Sequence, residues 1–180
     1  DRFRQIEPRV LIAVDGYTYR ARRYETLPAV AQLQRELPSL EATVVVPYVD
    51  EHPKLDGLTG VQLWQDLMTD DADVDFEPVP FEHPLWVLYS SGTTGLPKAI
   101  VQGHGGILLE HLKTLSLHLD LNEHDRLFWF TTTGWMMWNF LVGGLQLGAT
   151  VILYDGHPTH PDRQSLWRLA QETGATYFGT

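Results

Sequence analysis

The chain has 180 residues, 43% of them apolar, which is enough to fill the core of one modest domain or part of a larger one and excludes a disordered segment. Acidic residues number 23 against 13 basic ones, for a formal net charge of −10 with no basic cluster, which argues against nucleic acid or an anionic membrane as partner. Cysteine is absent, so disulfides and thiol chemistry are excluded. The longest apolar-leaning stretch, Phe140 to Tyr154, is too short and too interrupted to cross a bilayer, so a soluble, cytoplasmic protein is expected.

In chain order, residues 1–50 read as strand, helix and strand. Val10 to Val14 is a short buried strand stopped by Asp15-Gly16. Leu27, Val30, Ala31, Leu33, Gln34 and Leu37 supply the apolar stripe of a helix, and Thr43 to Val46 is a second continuous strand. That spacing predicts a parallel pair, with Asp15-Gly16 as a structural turn. Residues 51–84 change character: Val61 to Met68 is expected to form a short helix. Asp70, Asp71, Asp73, Asp75 and Glu77 then lead into Pro78, Pro80 and Pro84. The carboxylates lack the glycine and terminal glutamate of a calcium loop, so the segment is expected to be a solvated connector.

Residues 85–180 carry the chemistry. Leu85 to Tyr89 and Ala99 to Val101 are strand-like, and between them lies Ser90-Ser91-Gly92-Thr93-Thr94-Gly95-Leu96-Pro97-Lys98. Glycine lets backbone N–H groups converge on an anion; the four hydroxyls add donors and Lys98 a positive charge, a set suited to phosphate. It is not a Walker A loop, in which Gly-Lys precedes Ser or Thr and opens a helix. Downstream, Ile107 to Leu119 is expected to be a helix with Leu108, Leu112, Leu115 and Leu119 on or near one face. His104, His111 and His118 recur every seven residues, but about 10.5 Å of helical rise separates such positions, too far for one ion with bonds of roughly 2 Å. His111 and His118 are therefore expected as helix-face residues and His104 in a tight turn, either structural or a donor near a nucleotide.

Asn122 to Asp125 reads as a turn, with Asp125-Arg126 as a local pair, and Arg126 to Phe130 as a strand. Thr131-Thr132-Thr133-Gly134-Trp135-Met136-Met137-Trp138-Asn139 then falls at a strand's carboxyl end, where open α/β sheets bind ligands. Trp135, Met136 and Met137 are candidates for an acyl-pocket wall, since they offer large apolar area and adaptable shape; Trp138, Phe140 and Leu141 are expected to pack inward. Leu141 to Leu147 should continue as helix, Ala149 to Leu153 as strand, Pro161 to Thr173 as an amphipathic helix on Leu166, Trp167, Leu169 and Ala170, and Ala175 to Phe178 as a strand start.

The order Ser-Ser-Gly-Thr-Thr-Gly-Leu-Pro-Lys, followed by Ala99-Ile100-Val101-Gln102-Gly103-His104-Gly105-Gly106 and later by Thr131 to Asn139, resembles the adenylate-forming acyl-CoA synthetases. Within that superfamily it is similar to the acetoacetate-activating branch. Acetate-activating relatives typically carry Thr-Ser-Gly-Ser-Thr-Gly-Lys-Pro-Lys-Gly, and the double Met with Trp-Asn points the same way. The resemblance implies an α/β fold of mainly parallel sheets flanked by helices, belonging to the large N-terminal domain of such an enzyme. Three regions are expected within it: a strand-helix-strand unit over 1–50, an acidic connector over 51–84, and the phosphate-loop and acyl-pocket region over 85–180.

It further implies ATP, Mg²⁺ and coenzyme A as cofactor and co-substrates, with acetoacetate activated to acyl-AMP and passed to the CoA thiol. Ser90, Ser91, Gly92, Thr93, Thr94 and Gly95 would grip phosphates, Lys98 and Thr94 would serve catalysis, and Trp135, Met136 and Met137 would bind the acid. No metal-ligating residue is assigned. The remainder of a longer parent chain is the implied partner, supplying the adenine and ribose motifs and the C-terminal lysine domain, and the 180 residues alone are expected to be inactive. Two other readings stay open: a short-chain synthetase using acetate or propionate, and a non-catalytic phosphate- or nucleotide-binding module.

Overall fold

A computed structural model describes residues 2–68, 73–91 and 95–180. The chain divides into two compact units, residues 1–77 with 89–99 and residues 78–88 with 100–180.

In the first unit, β1 (Val10–Val14) and the later β4 (Ala42–Val46) pair in parallel, as the strand-helix-strand spacing predicts. Between them stand a hairpin that the sequence reading lacked, β2 (Gly16–Tyr19) with β3 (Arg22–Glu25), and the expected helix α1 (Leu27–Glu36). The hairpin turns on Arg20 and Ala21, both at positive φ, 50° and 61°, without the Asn or Gly that normally announces such a turn. Val30 of the helix and Leu37 at its C-terminal cap are buried, as are Val44 and Val45 of the sheet, and Gln34 Nε2 donates to Thr43 Oγ1 at 2.9 Å.

The segment expected as one helix from Val61 splits. Val61–Leu63 is a strand, β5, paired in parallel with β4, and only Trp64–Leu67 is helical, α2. Three residues of strand are too few to show alternation, so the helical period won in the sequence. Asp15, at the end of β1, is a structural turn residue: its buried carboxylate accepts the backbone N–H groups of Tyr48 and Val49 at 2.6 and 3.0 Å. Asp70 and Asp71 lie outside the described residues, whereas Asp73, Asp75 and Glu77 are exposed in an extended stretch without helix or strand.

Strands β6 (Pro84–Ser90) and β7 (Lys98–Gly103) form a two-stranded ribbon. The second unit continues through α3 (His104–Leu112), extended by a wider helical turn over Lys113–His118, to β8 (Arg126–Trp129), α4 (Met136–Gly143), β9 (Thr150–Ile152), α5 (Ser165–Thr173) and β10 (Tyr177–Gly179). The sheet is parallel in the order β10-β8-β9. Central β8 is covered on both faces: Leu127 packs with Leu115, Leu121 and Leu141, while Phe128 packs with Ile152 and Leu166. Each fully buried side chain of this size contributes about 1.5–3 kcal/mol of hydrophobic stabilisation.

Leu108 and Leu112 of α3 are exposed, and the buried face is Ile107, His111 and Leu115. The helix carries leucine on several sides, so counting apolar positions picked the wrong face. Asp125 does not pair with Arg126: its carboxylate accepts from Asn122 N and Thr176 Oγ1, at 2.9 and 2.8 Å, while Arg126 Nε donates to the Thr173 carbonyl. Helix α5 begins at Ser165 and not at Pro161, because Asp162 first forms a turn, accepting from Gln164 N at 2.7 Å and from Arg168 Nη1 at 3.1 Å. It ends on Gly174 at φ 63°, a left-handed cap that glycine adopts without steric cost.

Candidate functional site

The phosphate-loop candidate is carried by the β6–β7 ribbon. Ser90 is the last residue of β6 and half-buried, Ser91 is exposed, and Gly92, Thr93 and Thr94 lie outside the described residues. Gly95 has φ 146°, in the region closed to most side chains, with open space around it, so backbone conformation rather than crowding selects glycine. Lys98 opens β7 and is exposed; among the described residues its ammonium meets no acid. A strand, not a helix, follows the lysine, which separates this loop from the Walker arrangement in three dimensions as in sequence.

The ribbon's far end is anchored within the second unit. Trp86 Nε1 donates to Gln102 Oε1 across the strands, and at the start of α3 the backbone N–H groups of His104 and Gly105 donate to the carbonyls of His83 and Phe81, each at 2.9 Å. His104 Nδ1 also donates to the His83 carbonyl at 2.8 Å, since a carbonyl oxygen can only accept. Its ring proton therefore secures the turn.

The acyl-pocket candidates lie in the second unit, at the carboxyl end of β8. Phe130 N donates to the Gly179 carbonyl at 2.8 Å, ending the pairing, and Trp135 N to the Thr132 carbonyl at 3.1 Å, which folds the loop into α4. Trp138 and Phe140 pack against the core cluster around Leu127 and Leu141 is buried, as expected. Trp135 and Met136 do not join it; they are 54% and 48% exposed, and Met137 is half-buried. Large apolar groups held open at this end of a parallel sheet suit a ligand wall.

One residue went unrecognised in the sequence. His111 is 7% exposed, its Nδ1 is buried without a hydrogen-bond partner, and its ring lies 5.8 Å from Trp86 and 6.0 Å from Phe140. Burial depresses its pKa, against a weaker upward pull from Glu110. The expectation of a helix-face residue holds, but the face is the buried one, and a polar residue among apolar neighbours was the one available signal. Among the described residues no group of three or more His, Asp or Glu is placed to hold a metal ion.

The family described as AMP-binding enzyme matches residues 1–180. The chain belongs to that family. Among curated relatives, an acetoacetyl-coenzyme A synthetase of Rhizobium meliloti is 44% identical over 185 residues and an acetoacetyl-CoA synthetase of Gallus gallus 41% over 187, each match taking in 100% of this chain. The solved acetoacetyl-CoA synthetase from Streptomyces lividans superposes with a TM-score of 0.93 at 55% identity, over 99% of this chain and 27% of that one. The chain spans 28% of the length of these curated relatives. Parallel sheets flanked by helices are thus the family's fold, and no helix among the described residues is long and apolar enough to cross a membrane.

Proposed function

We propose that the protein to which these residues belong activates acetoacetate. Its carboxylate oxygen attacks the α-phosphorus of ATP, the bond to the β-phosphate oxygen breaks, and pyrophosphate leaves. The sulfur of coenzyme A then attacks the acyl carbonyl of the mixed anhydride and AMP departs, giving acetoacetyl-CoA. The observation that carries this reading is the 55% identity, over 99% of the chain, to a solved acetoacetyl-CoA synthetase.

In this reading Ser90, Ser91, Gly92, Thr93, Thr94 and Gly95 hold the β and γ phosphates through hydroxyl and backbone donors. Lys98 stands as the counter-charge for the developing pyrophosphate, and Thr94 acts beside it. Preorganised donors lower the barrier because they need no reorientation when charge appears. Trp135, Met136 and Met137 wall the acid's carbon chain, and the remainder of the parent chain completes the nucleotide site. Mg²⁺ would accompany ATP as the counter-ion of its phosphates. The described loop residues offer hydroxyls and an ammonium but no carboxylate, so no step is assigned to a protein-held ion. A cytoplasmic location belongs to the same proposal.

The test is pyrophosphate release by the full-length protein with acetoacetate, acetate and propionate compared. Preference for acetoacetate supports the reading. Preference for acetate or propionate moves it to another short-chain synthetase, and release with none of the three replaces it with a phosphate-binding module.

A further inference from the structure

The loop over residues 90–98 leaves one strand and enters the next through two feet, Tyr89 and Pro97, and both are held by one short turn distant in sequence. Tyr89 Oη donates to the Arg2 carbonyl at 2.8 Å, across 87 residues. Gln5 Nε2 donates to the Pro97 carbonyl at 2.9 Å, across 92. The Arg2 guanidinium carbon lies 5.9 Å from the centroid of the Tyr89 ring. All of these residues fall in the first unit.

The turn that makes these contacts is itself fixed. Phe3–Gln5 is a single helical turn in which Gln5 N donates to the Arg2 carbonyl at 3.1 Å, so that carbonyl accepts both from the turn and from Tyr89. Arg4 pairs with Glu36 of α1 at 3.3 Å, and Gln32 Nε2 holds the other Glu36 oxygen at 2.7 Å. A cleft of about 350 Å³ runs beneath, lined by Arg2, Phe3, Arg4, Leu33, Leu37 and Pro97 among others, so polar contacts at the ends, rather than close packing, hold the turn in place.

We propose that the Arg2–Gln5 turn is a positioning clamp for the phosphate loop, in which Gln5 and Tyr89 fix the two feet and so set the loop's affinity for the nucleotide phosphates. This rests on the phosphate-loop reading given above. The physical argument is local. Tyr89 immediately precedes Ser90, and Pro97 immediately precedes Lys98, so each clamped residue is one peptide from a proposed phosphate contact. Proline has no N–H, which leaves the Pro97 carbonyl as its only backbone handle, and Gln5 takes it. A loop with both feet fixed presents its donors ready-made, whereas a loop with free feet binds only from the fraction of its conformations that are competent, and its apparent affinity falls by that fraction.

The test uses the full-length protein with Gln5→Met, which keeps the side chain's length but removes the donating amide without adding a charge. Tyr89→Phe is its companion, keeping the ring beneath Arg2 but removing the hydroxyl. Pyrophosphate release gives KM for ATP and for the acid, thermal unfolding gives stability, and amide exchange is followed at Ser90, Ser91, Lys98 and Ala99. Each variant is expected to raise KM for ATP about two- to tenfold, the weight of one neutral hydrogen bond, with KM for the acid and the melting temperature unchanged and exchange at those four amides faster. An unchanged KM for ATP overturns the clamp, whether or not exchange quickens. So does a parallel loss in every kinetic constant with a lowered melting temperature, which marks a merely structural contact. Lys98→Ala separates the two readings: if it also leaves KM for ATP unchanged, the phosphate-loop assignment has failed, and if it raises KM while Gln5→Met and Tyr89→Phe do not, the clamp alone has failed.

Discussion

The imidazole of His111 occupies the space a side chain at residue 143 would need: a Cβ on Gly143 would lie 2.5 Å from His111 Nδ1. The ring cannot swing away, because Trp86 and Phe140 lie against it. Helix α3 therefore meets α4 through one histidine seated over one glycine.

Gly143→Ala should accordingly destabilise the protein by about 1–3 kcal/mol through overpacking, although alanine is the better helix former. Gly106→Ala in α3 should do the reverse. Nothing lies within 4 Å of a Cβ there and its φ is not positive, so the substitution is expected to stabilise by up to about 1 kcal/mol. Thermal unfolding of the two variants checks both signs, and a stabilised Gly143→Ala would refute the contact.

Stability should also depend on pH through His111. Burial holds its folded-state pKa below the ordinary 6.5, so the unfolded chain takes up the proton first as pH falls. The contribution is fully present above the unfolded value and is lost below it, down to the folded value. Glu110, next in the chain, is the acidic group that opposes this shift. Urea midpoints at about pH 7.5 and about pH 5.5 bracket the ordinary value. His111→Leu should shrink the difference between them, and an undiminished difference would assign the pH dependence to other groups.

Asp15 has the same sign in a more acidic window. Burial, the largest single influence, pushes its carboxyl up, but the backbone N–H groups of Tyr48, Val49, Asp15 and Asp50 together outweigh it and hold the carboxyl below the usual 3.8. Its contribution is present above the unfolded value and is lost as pH falls through the folded one. Asp15→Asn removes the charge and places an amide donor where the buried, unpartnered Oδ2 now stands, so a cost of about 2–3 kcal/mol is expected in chemical denaturation.

Legibility in the sequence followed the range of the interactions. Val44 with Val45 and Leu127 with Phe128 announce buried strands because both faces of a parallel sheet are covered, which makes the apolar run continuous. The candidate phosphate loop stood out because its hydroxyls, glycines and lysine sit in consecutive residues. Helix α3 misled because Leu108 and Leu109 face outward as well as Ile107 inward, while the decisive buried position is a histidine. β5 and the contacts of Gln5 and Tyr89 gave no local sign at all. A three-residue strand exists only through its partner, and a hydrogen bond across 92 residues leaves no periodicity.

The proposed acid-binding wall is separable by mutation from the core beside it. Met136 and Trp138 are two residues apart at the start of α4, yet Met136 is open while Trp138 packs on the cluster around Leu127. In the full-length protein, Met136→Ala should change the ratio of kcat/KM between acetoacetate and a longer 3-oxo acid by about tenfold, within the range that a methylene-scale change in an apolar pocket commands. KM for ATP should stay as it is. Trp138→Ala should instead lower stability by on the order of 2 kcal/mol, since it removes packing from the core cluster, and leave the ratio alone. Competition between the two acids in one assay reads the ratio directly. If Met136→Ala leaves it untouched while Trp138→Ala shifts it, the wall lies on the other side of α4.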